Sequence, residues 1–278
     1  MVEARPRKRE AGKIQRKAKN GIGRFRLAKA RPERSAWNGM ATDPMVLLFL
    51  LGGTDDGILD LVAAEFVPAA GGEEAVVALL MIGGEGWERY VARYVEPWEA
   101  RGVRKVEVIV PGEEGRLDFA KAEGQLATAT GIFIAGGRTA TYHGLYATEP
   151  MRSMVRERHG HGTPVAGLSA GAMIAPEVCL LRPSPRNPEE RFRIVEGLGL
   201  VRELVVEVHF ADGEGTLPSL LEGMTRTRTA RGLGIGPGAC AVLREGRLER
   251  VIGRGVYEVE MTDFERLQYT TAEVQPEA

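Results

Sequence analysis

The sequence has few residues of the kinds that would crosslink a chain or anchor it in a membrane. Its 278 residues include two cysteines, Cys179 and Cys240, which cannot form a disulfide framework and do not lie in a metal-type spacing. The longest apolar run, Met45 to Leu51, has the length of a strand and is too short to cross a bilayer. These absences predict a chain with no metal and no membrane segment, in a reducing, cytoplasmic compartment.

Charge is nearly balanced over the whole chain but unevenly distributed. The first 44 residues contain 13 Lys and Arg against 4 Asp and Glu, whereas the remainder contains 24 against 34. Residues 1–44 have little to bury, so we predict a basic tail that does not fold by itself. We interpret residues 1–44 either as a solvated tail or as a segment that precedes the true start of the protein at Met40 or Met45. Alternatively, this tail binds nucleic acid or an acidic surface, or it is a transit-like peptide. Outside the tail, no nucleic-acid binding is predicted.

From residue 45 onward, strand-like and helix-like segments alternate. Buried-strand patterns occupy 46–51, 75–82, 105–110 and 131–135, and helical patterns occupy 58–69, 87–100, 119–129 and 148–160. This alternation predicts an α/β fold, with a mainly parallel open sheet and helices on both faces. We expect one domain over 45–262, with an exposed proline-rich loop at 176–188, a β-rich C-terminal part and a patternless tail at 263–278.

One stretch carries a recognisable catalytic pattern. Gly167-Leu-Ser-Ala-Gly171 follows a short apolar run and precedes small, helix-forming residues. Gly-x-Ser-x-Gly between a strand and a helix holds a serine on a sharp turn, with its hydroxyl clear of the sheet. The N–H of the next residue, Ala170, then points to where an oxyanion would form. We therefore predict that Ser169 is a nucleophile.

A nucleophilic serine requires an imidazole within hydrogen-bond reach. Of the four histidines, His143 lies in a predicted helix, and His159 and His161 flank a glycine before the elbow strand. His209 ends a buried strand at the sheet edge where Ser169 is expected, so we predict it as the general base. The Gly136-Gly137 pair ends the strand before the elbow, and we expect a second oxyanion N–H from that loop, at Gly137.

In this order and spacing, these features resemble peptidase family S51, which includes cyanophycinase and the aspartyl dipeptidase and has a class I glutamine amidotransferase-like fold. The resemblance covers about residues 45–260. Its most specific element is the Ser-Ala-Gly-Ala sequence at the elbow, and the order of elements is closest to the cyanophycinase-like branch. The resemblance implies that Ser169 is the nucleophile and His209 the base, with oxyanion N–H groups from Gly137 and Ala170.

The chain departs from the family pattern at three places. Arg138-Thr139 stands where an acidic or amide residue followed by Gln is expected, and Ala211–Gly215 replaces the expected arginines. Gly236-Pro-Gly238 occupies the position of the acid that completes the triad. Cyanophycin itself is therefore not the predicted substrate. The candidates for a third carboxylate are Glu207, Glu177 and Asp212. Glu207 lies two residues before His209 on the same strand, so the two side chains are expected on one face of the sheet.

The predicted activity is hydrolysis of small peptides or an isopeptide-like substrate through a Ser-His acyl-enzyme, without metal or organic cofactor. Arg138, beside the oxyanion loop, is predicted to pair with a substrate carboxylate. A degenerate member that binds a small ligand, or an esterase, is the alternative. A glutamine amidotransferase would need a cysteine at the elbow. A homodimer is left open.

Overall fold

A computed structural model describes residues 46–55, 57–182, 192–210 and 216–276. The basic tail predicted at 1–44 lies outside these ranges. The strands are β1 (Leu47–Leu51), β2 (Val76–Leu80), β3 (Lys105–Ile109), β4 (Gly131–Ile134), β5 (Val165–Leu168), β6 (Pro176–Leu181), β7 (Arg193–Glu196), β8 (Val201–Val208), β9 (Arg231–Ile235), β10 (Ala239–Arg244), β11 (Arg247–Gly253), β12 (Val256–Asp263) and β13 (Gln268–Val274). The helices are α1 (Ile58–Ala69), α2 (Glu88–Glu99), α3 (Phe119–Thr128), α4 (Thr139–Tyr146), α5 (Met151–Gly160), α6 (Ala170–Ile174) and α7 (Leu217–Thr227), with a 3-10 turn at Gly72–Glu74.

The first sheet has seven strands in the order β11-β10-β1-β5-β4-β2-β3. From β1 to β3 every pairing is parallel, whereas β10 and β11 are antiparallel. The chain runs outward from β1 through β2 to β3 and then returns through β4 to β5. Right-handed crossovers therefore place α1 and α2 on one face and α3 to α5 on the other. The predicted α/β sheet with helices on both faces is confirmed.

An aromatic cluster fastens α1 and α2 to this sheet. The ring of Phe66 in α1 lies 5.9 Å from Phe49 of β1, 6.2 Å from Trp98 of α2 and 6.3 Å from Phe133 of β4. All four side chains are buried. Because large side chains bury much apolar area, this cluster packs the two helices firmly against the sheet.

A second sheet, not predicted from the sequence, has six strands in the order β13-β12-β9-β8-β6-β7. The exposed loop predicted at 176–188 is wrong for its first six residues, which form β6. Pro176 begins that strand, where a missing N–H is tolerated, and Cys179–Leu181 is buried. Strand β13 occupies part of the segment predicted as a patternless tail. Its side chains are mostly exposed, and backbone pairing with β12 holds it at the sheet edge.

No helix in the described ranges is both long enough and apolar enough to span a bilayer.

The aromatic cluster gives a stability prediction. Phe66→Ala should lower the free energy of unfolding by about 3–5 kcal/mol, because it removes the ring that joins α1 to three neighbours. Leu61→Ala is the matched control on the same helix, since Leu61 is 47% exposed and its loss should cost about 0.5 kcal/mol or less. Urea denaturation followed by circular dichroism measures both. Equal losses in the two variants would contradict the central role of Phe66.

Candidate active site

Ser169 lies on the turn between β5 and α6 in a backbone conformation that residues with a side chain rarely adopt. Its φ is 51° and its ψ is −104°. The Ser169 N–H donates to the carbonyl of Leu51 in β1 at 2.8 Å, and its carbonyl accepts from the Met173 N–H at 3.0 Å. Bonds to the sheet and to the helix thus hold the strained turn, as the sequence pattern predicted.

Both glycines of the pattern are required by close backbone contacts. A Cβ at Gly167 would lie 2.6 Å from the carbonyl oxygen of Gly171. A Cβ at Gly171 would lie 2.2 Å from the carbonyl oxygen of Ile134, the last residue of β4. Any side chain at either position would force α6 away from the sheet and displace Ser169.

The Ser169 hydroxyl lies within hydrogen-bond distance of His209. Ser169 Oγ and His209 Nε2 are 2.8 Å apart. His209 follows the end of β8 with a φ of 52°, and the Phe210 N–H donates to the carbonyl of Ile235 at 3.0 Å. Ser169 follows a strand of the first sheet and His209 a strand of the second, so this contact joins the two sheets.

The surroundings of His209 lower its pKa. Burial is the largest cause, the positive charge of Arg182 adds to it, and the negative charge of Asp55 acts in the opposite direction. A lowered pKa keeps the imidazole neutral near pH 7, which is the form that can accept a proton from a serine hydroxyl.

The other three histidines contact backbone carbonyls elsewhere. His143 Nε2 lies 2.9 Å from the Glu196 oxygen, His159 Nδ1 3.2 Å from that of Thr163, and His161 Nδ1 2.8 Å from that of Glu157. His159 lines a smaller cavity of about 350 Å³ beside the beginning of β1, to which neither Ser169 nor His209 contributes.

Ser169 and His209 open into a cleft of about 620 Å³, a volume typical of small-ligand sites. The cleft lies at the carboxyl ends of the parallel strands, where open α/β sheets bind ligands. Its walls come from the loops after β1, β2 and β4, from one face of α2, and from the two catalytic candidates. The lining residues are Gly53, Thr54, Asp55, Met81, Ile82, Gly83, Gly84, Glu85, Trp87, Tyr90, Arg93, Tyr94, Gly136, Gly137, Tyr142, Leu168, Ser169, His209 and Pro237.

The two positions predicted to supply oxyanion N–H groups flank the serine. Ala170 is the first residue of α6, so its N–H has no partner within the helix. Gly137 lines the cleft after β4, and a Cβ at the preceding Gly136 would lie 3.3 Å from Ser169 Cβ. The Gly136-Gly137 loop therefore packs directly against the nucleophile candidate.

Glu207, the first candidate for a third carboxylate, is completely buried, and no hydrogen bond or ion pair joins it to His209 in the described ranges. Its Oε1 accepts from the Val208 N–H at 3.2 Å and lies 3.5 Å from Nη2 of Arg182, while no described residue hydrogen-bonds Oε2. Burial raises its pKa to about 7, opposed by Arg182 and the Val208 N–H. Glu207 and His209 were expected on one face of the strand. They are not, because β8 ends at Val208 and the positive φ of His209 ends the in-and-out alternation of side chains.

Three further residues were predicted to orient His209 or to bind substrate: Glu177, Asp212 and Arg138. None of them is among the described residues that line the cleft. Glu177 lies on β6, half-buried, and no hydrogen bond or ion pair joins it to His209 in the described ranges. Asp212 lies outside the described residues. Arg138 precedes α4 and is exposed, but it does not line the cleft. Its pairing with a substrate carboxylate stays a prediction.

Three charged residues of the cleft, Asp55, Glu85 and Arg93, were missed in the sequence. Asp55 follows β1, and its N–H donates to the carbonyl of Pro237 at 3.1 Å. Its position just after a buried strand was an available signal, since the elbow lies at the same sheet edge. Arg93 lies in α2, whose helical spacing indicated only a packed helix, and no motif marks it.

Comparisons with known proteins relate this chain to peptidases. The model of peptidase family S51 matches residues 48–251. The cyanophycinase of Synechococcus elongatus is 25% identical over 229 residues, which cover 81% of this chain and 70% of that protein. A crystal structure of a peptidase from an acI-B1 Actinobacterium has a TM-score of 0.59 at 17% identity, covering 84% of this chain and 96% of its own. A putative peptidase E protein from Listeria monocytogenes EGD-e has a TM-score of 0.52 at 17% identity, covering 75% and 97%. The two solved structures share the fold.

The burial of Glu207 predicts a pH-dependent stability. Between about pH 4.5 and 7 the folded chain holds a proton that the unfolded chain releases, so the free energy of unfolding should fall as pH rises. The loss is on the order of 3 kcal/mol. Glu207→Gln cannot ionise and should lack this loss.

Urea denaturation of wild type and Glu207→Gln at pH 5 and pH 8 measures the difference. Other titrating groups affect both proteins equally, so the variant should gain stability relative to wild type at pH 8. Parallel pH dependence in the two proteins would show that Glu207 is ionised in the folded chain.

Proposed function

The chain belongs to peptidase family S51, and we propose that it is a serine-type peptidase that cleaves short peptides or isopeptide-like substrates. The observation that carries this proposal is the 2.8 Å contact between Ser169 Oγ and His209 Nε2. It occurs in a cleft of ligand size, on a strained turn whose two flanking glycines have no room for a side chain. A structural serine would not require such a turn.

In the proposed reaction, His209 takes the proton of Ser169 as Oγ attacks the carbonyl carbon of the scissile bond. The N–H groups of Gly137 and Ala170 stabilise the oxyanion of the tetrahedral intermediate. The imidazolium gives its proton to the leaving amine, and the C–N bond breaks to leave an acyl-enzyme. A water molecule, deprotonated by His209, then attacks the ester, and Ser169 recovers its proton as the acid product leaves.

The histidine also needs a group that orients it and stabilises its charged form. Asp55 is the described carboxylate best placed for this, because its negative charge acts to raise the pKa of His209. Its N–H bond to Pro237 holds it against Gly236–Gly238, the segment where the family resemblance leads one to expect the triad acid. We assign Asp55 a positioning role. Because Asp55 is exposed, solvent weakens its effect relative to that of a buried carboxylate.

A degenerate member that binds a small ligand is the second candidate. The observation that favours it is that no carboxylate in the described ranges hydrogen-bonds His209. Loss of the orienting acid from a Ser-His pair can cost about 10⁴ in rate while the geometry is kept.

Ser169→Ala tests the peptidase directly. Wild type should cleave members of a pool of short peptides that includes acidic and basic residues, and the variant should lose about 10³-fold or more of that rate, because it has no nucleophile. Mass spectrometry of the digests identifies the cleaved bonds. Ser153→Ala is the matched control, since Ser153 lies in α5 outside the cleft and should leave cleavage unchanged. Equal cleavage by wild type and Ser169→Ala would contradict the mechanism, and no cleavage by wild type would favour the binder.

Asp55→Asn tests the positioning role. Removing the negative charge should lower the pKa of His209 further, so the acidic limb of the kcat/KM profile should move to lower pH. The plateau rate should fall by about tenfold or more, less than the roughly 10⁴ cost of losing a buried triad acid. Asp55→Glu should recover part of the rate, and Glu177→Gln serves as the control carboxylate outside the cleft. An unshifted acidic limb in Asp55→Asn would remove Asp55 from the mechanism.

A further inference from the structure

One wall of the cleft is a single face of α2 and the residue before it. Trp87, Tyr90, Arg93 and Tyr94 all line the cleft, at spacings that bring side chains onto one side of a helix. Among the described lining residues Arg93 is the one permanently positive side chain, and Asp55 and Glu85 are the carboxylates. This wall faces the same space as Ser169, so it is a surface that a bound substrate would contact.

Arg93 is held in place without being neutralised. Its Nη2 donates to Thr54 Oγ1 and lies 3.5 Å from the Thr54 carbonyl oxygen. Both contacts use the same nitrogen, and no carboxylate within the described ranges forms an ion pair with Arg93. The remaining donors of the guanidinium therefore stay available on an exposed side chain. Thr54 directly precedes Asp55, so one loop fixes both charged groups.

The aromatic residues beside Arg93 form an apolar surface that is open to the cleft. Tyr90 is 49% exposed, Trp87 is half-buried, and Tyr94 beneath them is buried. Tyrosine and tryptophan rings present rigid apolar faces at little entropic cost, which suits them to pack against a ligand side chain. The Arg93 guanidinium next to these rings is therefore complementary to a ligand that carries a negative charge beside an apolar group.

We propose that this face of α2 is a substrate subsite, in which Arg93 binds a carboxylate of the substrate while Trp87 and Tyr90 pack against the adjoining side chain. A guanidinium binds carboxylate through parallel N–H bonds, which gives direction as well as charge. The substrates are then short peptides with a carboxylate near the cleaved bond, either the free C-terminus or an acidic side chain. Asp55 and Glu85 repel further negative charge. This subsite rests on the proposed peptidase function.

Kinetics on matched peptides test the subsite. Each short peptide is compared with its C-terminal amide, and each Asp or Glu peptide with its Asn or Gln counterpart. Wild type should prefer one carboxylate form, and the pair that shows the preference identifies its source. Arg93→Ala should raise KM for that form roughly tenfold, with a smaller change in kcat, and should erase the preference. Arg93→Lys should restore part of it.

Arg89→Ala is the matched control on the same helix. Its guanidinium lies over the Tyr90 ring, 5.4 Å from the centroid, but Arg89 does not line the cleft. This variant should keep the preference for the carboxylate form. Circular dichroism establishes that all variants are folded.

A binding measurement separates the subsite from the chemistry. Saturation-transfer NMR of the same peptides with Ser169→Ala, and with Ser169→Ala combined with Arg93→Ala, reports binding without turnover. Serine-dependent cleavage that treats acid and amide alike would overturn the subsite and leave the peptidase standing. Arg93-dependent binding of the carboxylate form without any cleavage by wild type would retain the subsite and overturn the peptidase. Preferential binding of cationic peptides, lost in Glu85→Gln, would also overturn the subsite.

Discussion

The close approach of three backbone segments at Ser169 is the constraint on which the site depends. The Ser169 N–H is bonded to the last residue of β1, and Gly171 lies against the last residue of β4. These are the two strands that flank β5 in the sheet. The turn therefore contacts the neighbouring strands on both sides, and these contacts fix the direction of the serine hydroxyl. The other lining residues surround the space that this hydroxyl faces.

In the proposed function, the part of the cleft that reacts and the part that recognises the substrate share one loop. Thr54 contacts Arg93, and the next residue, Asp55, acts electrostatically on His209. The histidine experiences two opposing influences, because burial and Arg182 favour its neutral form and Asp55 favours its charged form. Such a balance suits a base that must first accept a proton and then return it. If both proposed roles hold, a change in this loop should alter rate and selectivity together.

Much of the fold could be predicted because its signals are local. Continuous apolar runs mark the buried parallel strands, and the glycine spacing around Ser169 is a compact local pattern, although one of its close contacts, at Gly171, is with the distant Ile134. The second sheet could not be predicted in the same way. Pro176 suggested a loop although it only begins β6, and β13 is held by backbone pairing rather than by an apolar pattern. Arg93 reaches the cleft beside Thr54, which is distant in the chain, so no local periodicity encodes its position, whereas the location of Asp55 after β1 was a usable signal.

The Ser169–His209 contact has a consequence for synthesis of the chain. Ser169 follows a strand of the first sheet, while His209 follows a strand of the second sheet, 40 residues later. Chains emerge from the ribosome N-terminus first, and domains fold as units. A partly made chain therefore has Ser169 without the His209 imidazole beside it. Only a chain in which both sheets have formed and met places the imidazole beside the hydroxyl, so the Ser169–His209 pair is completed late in folding.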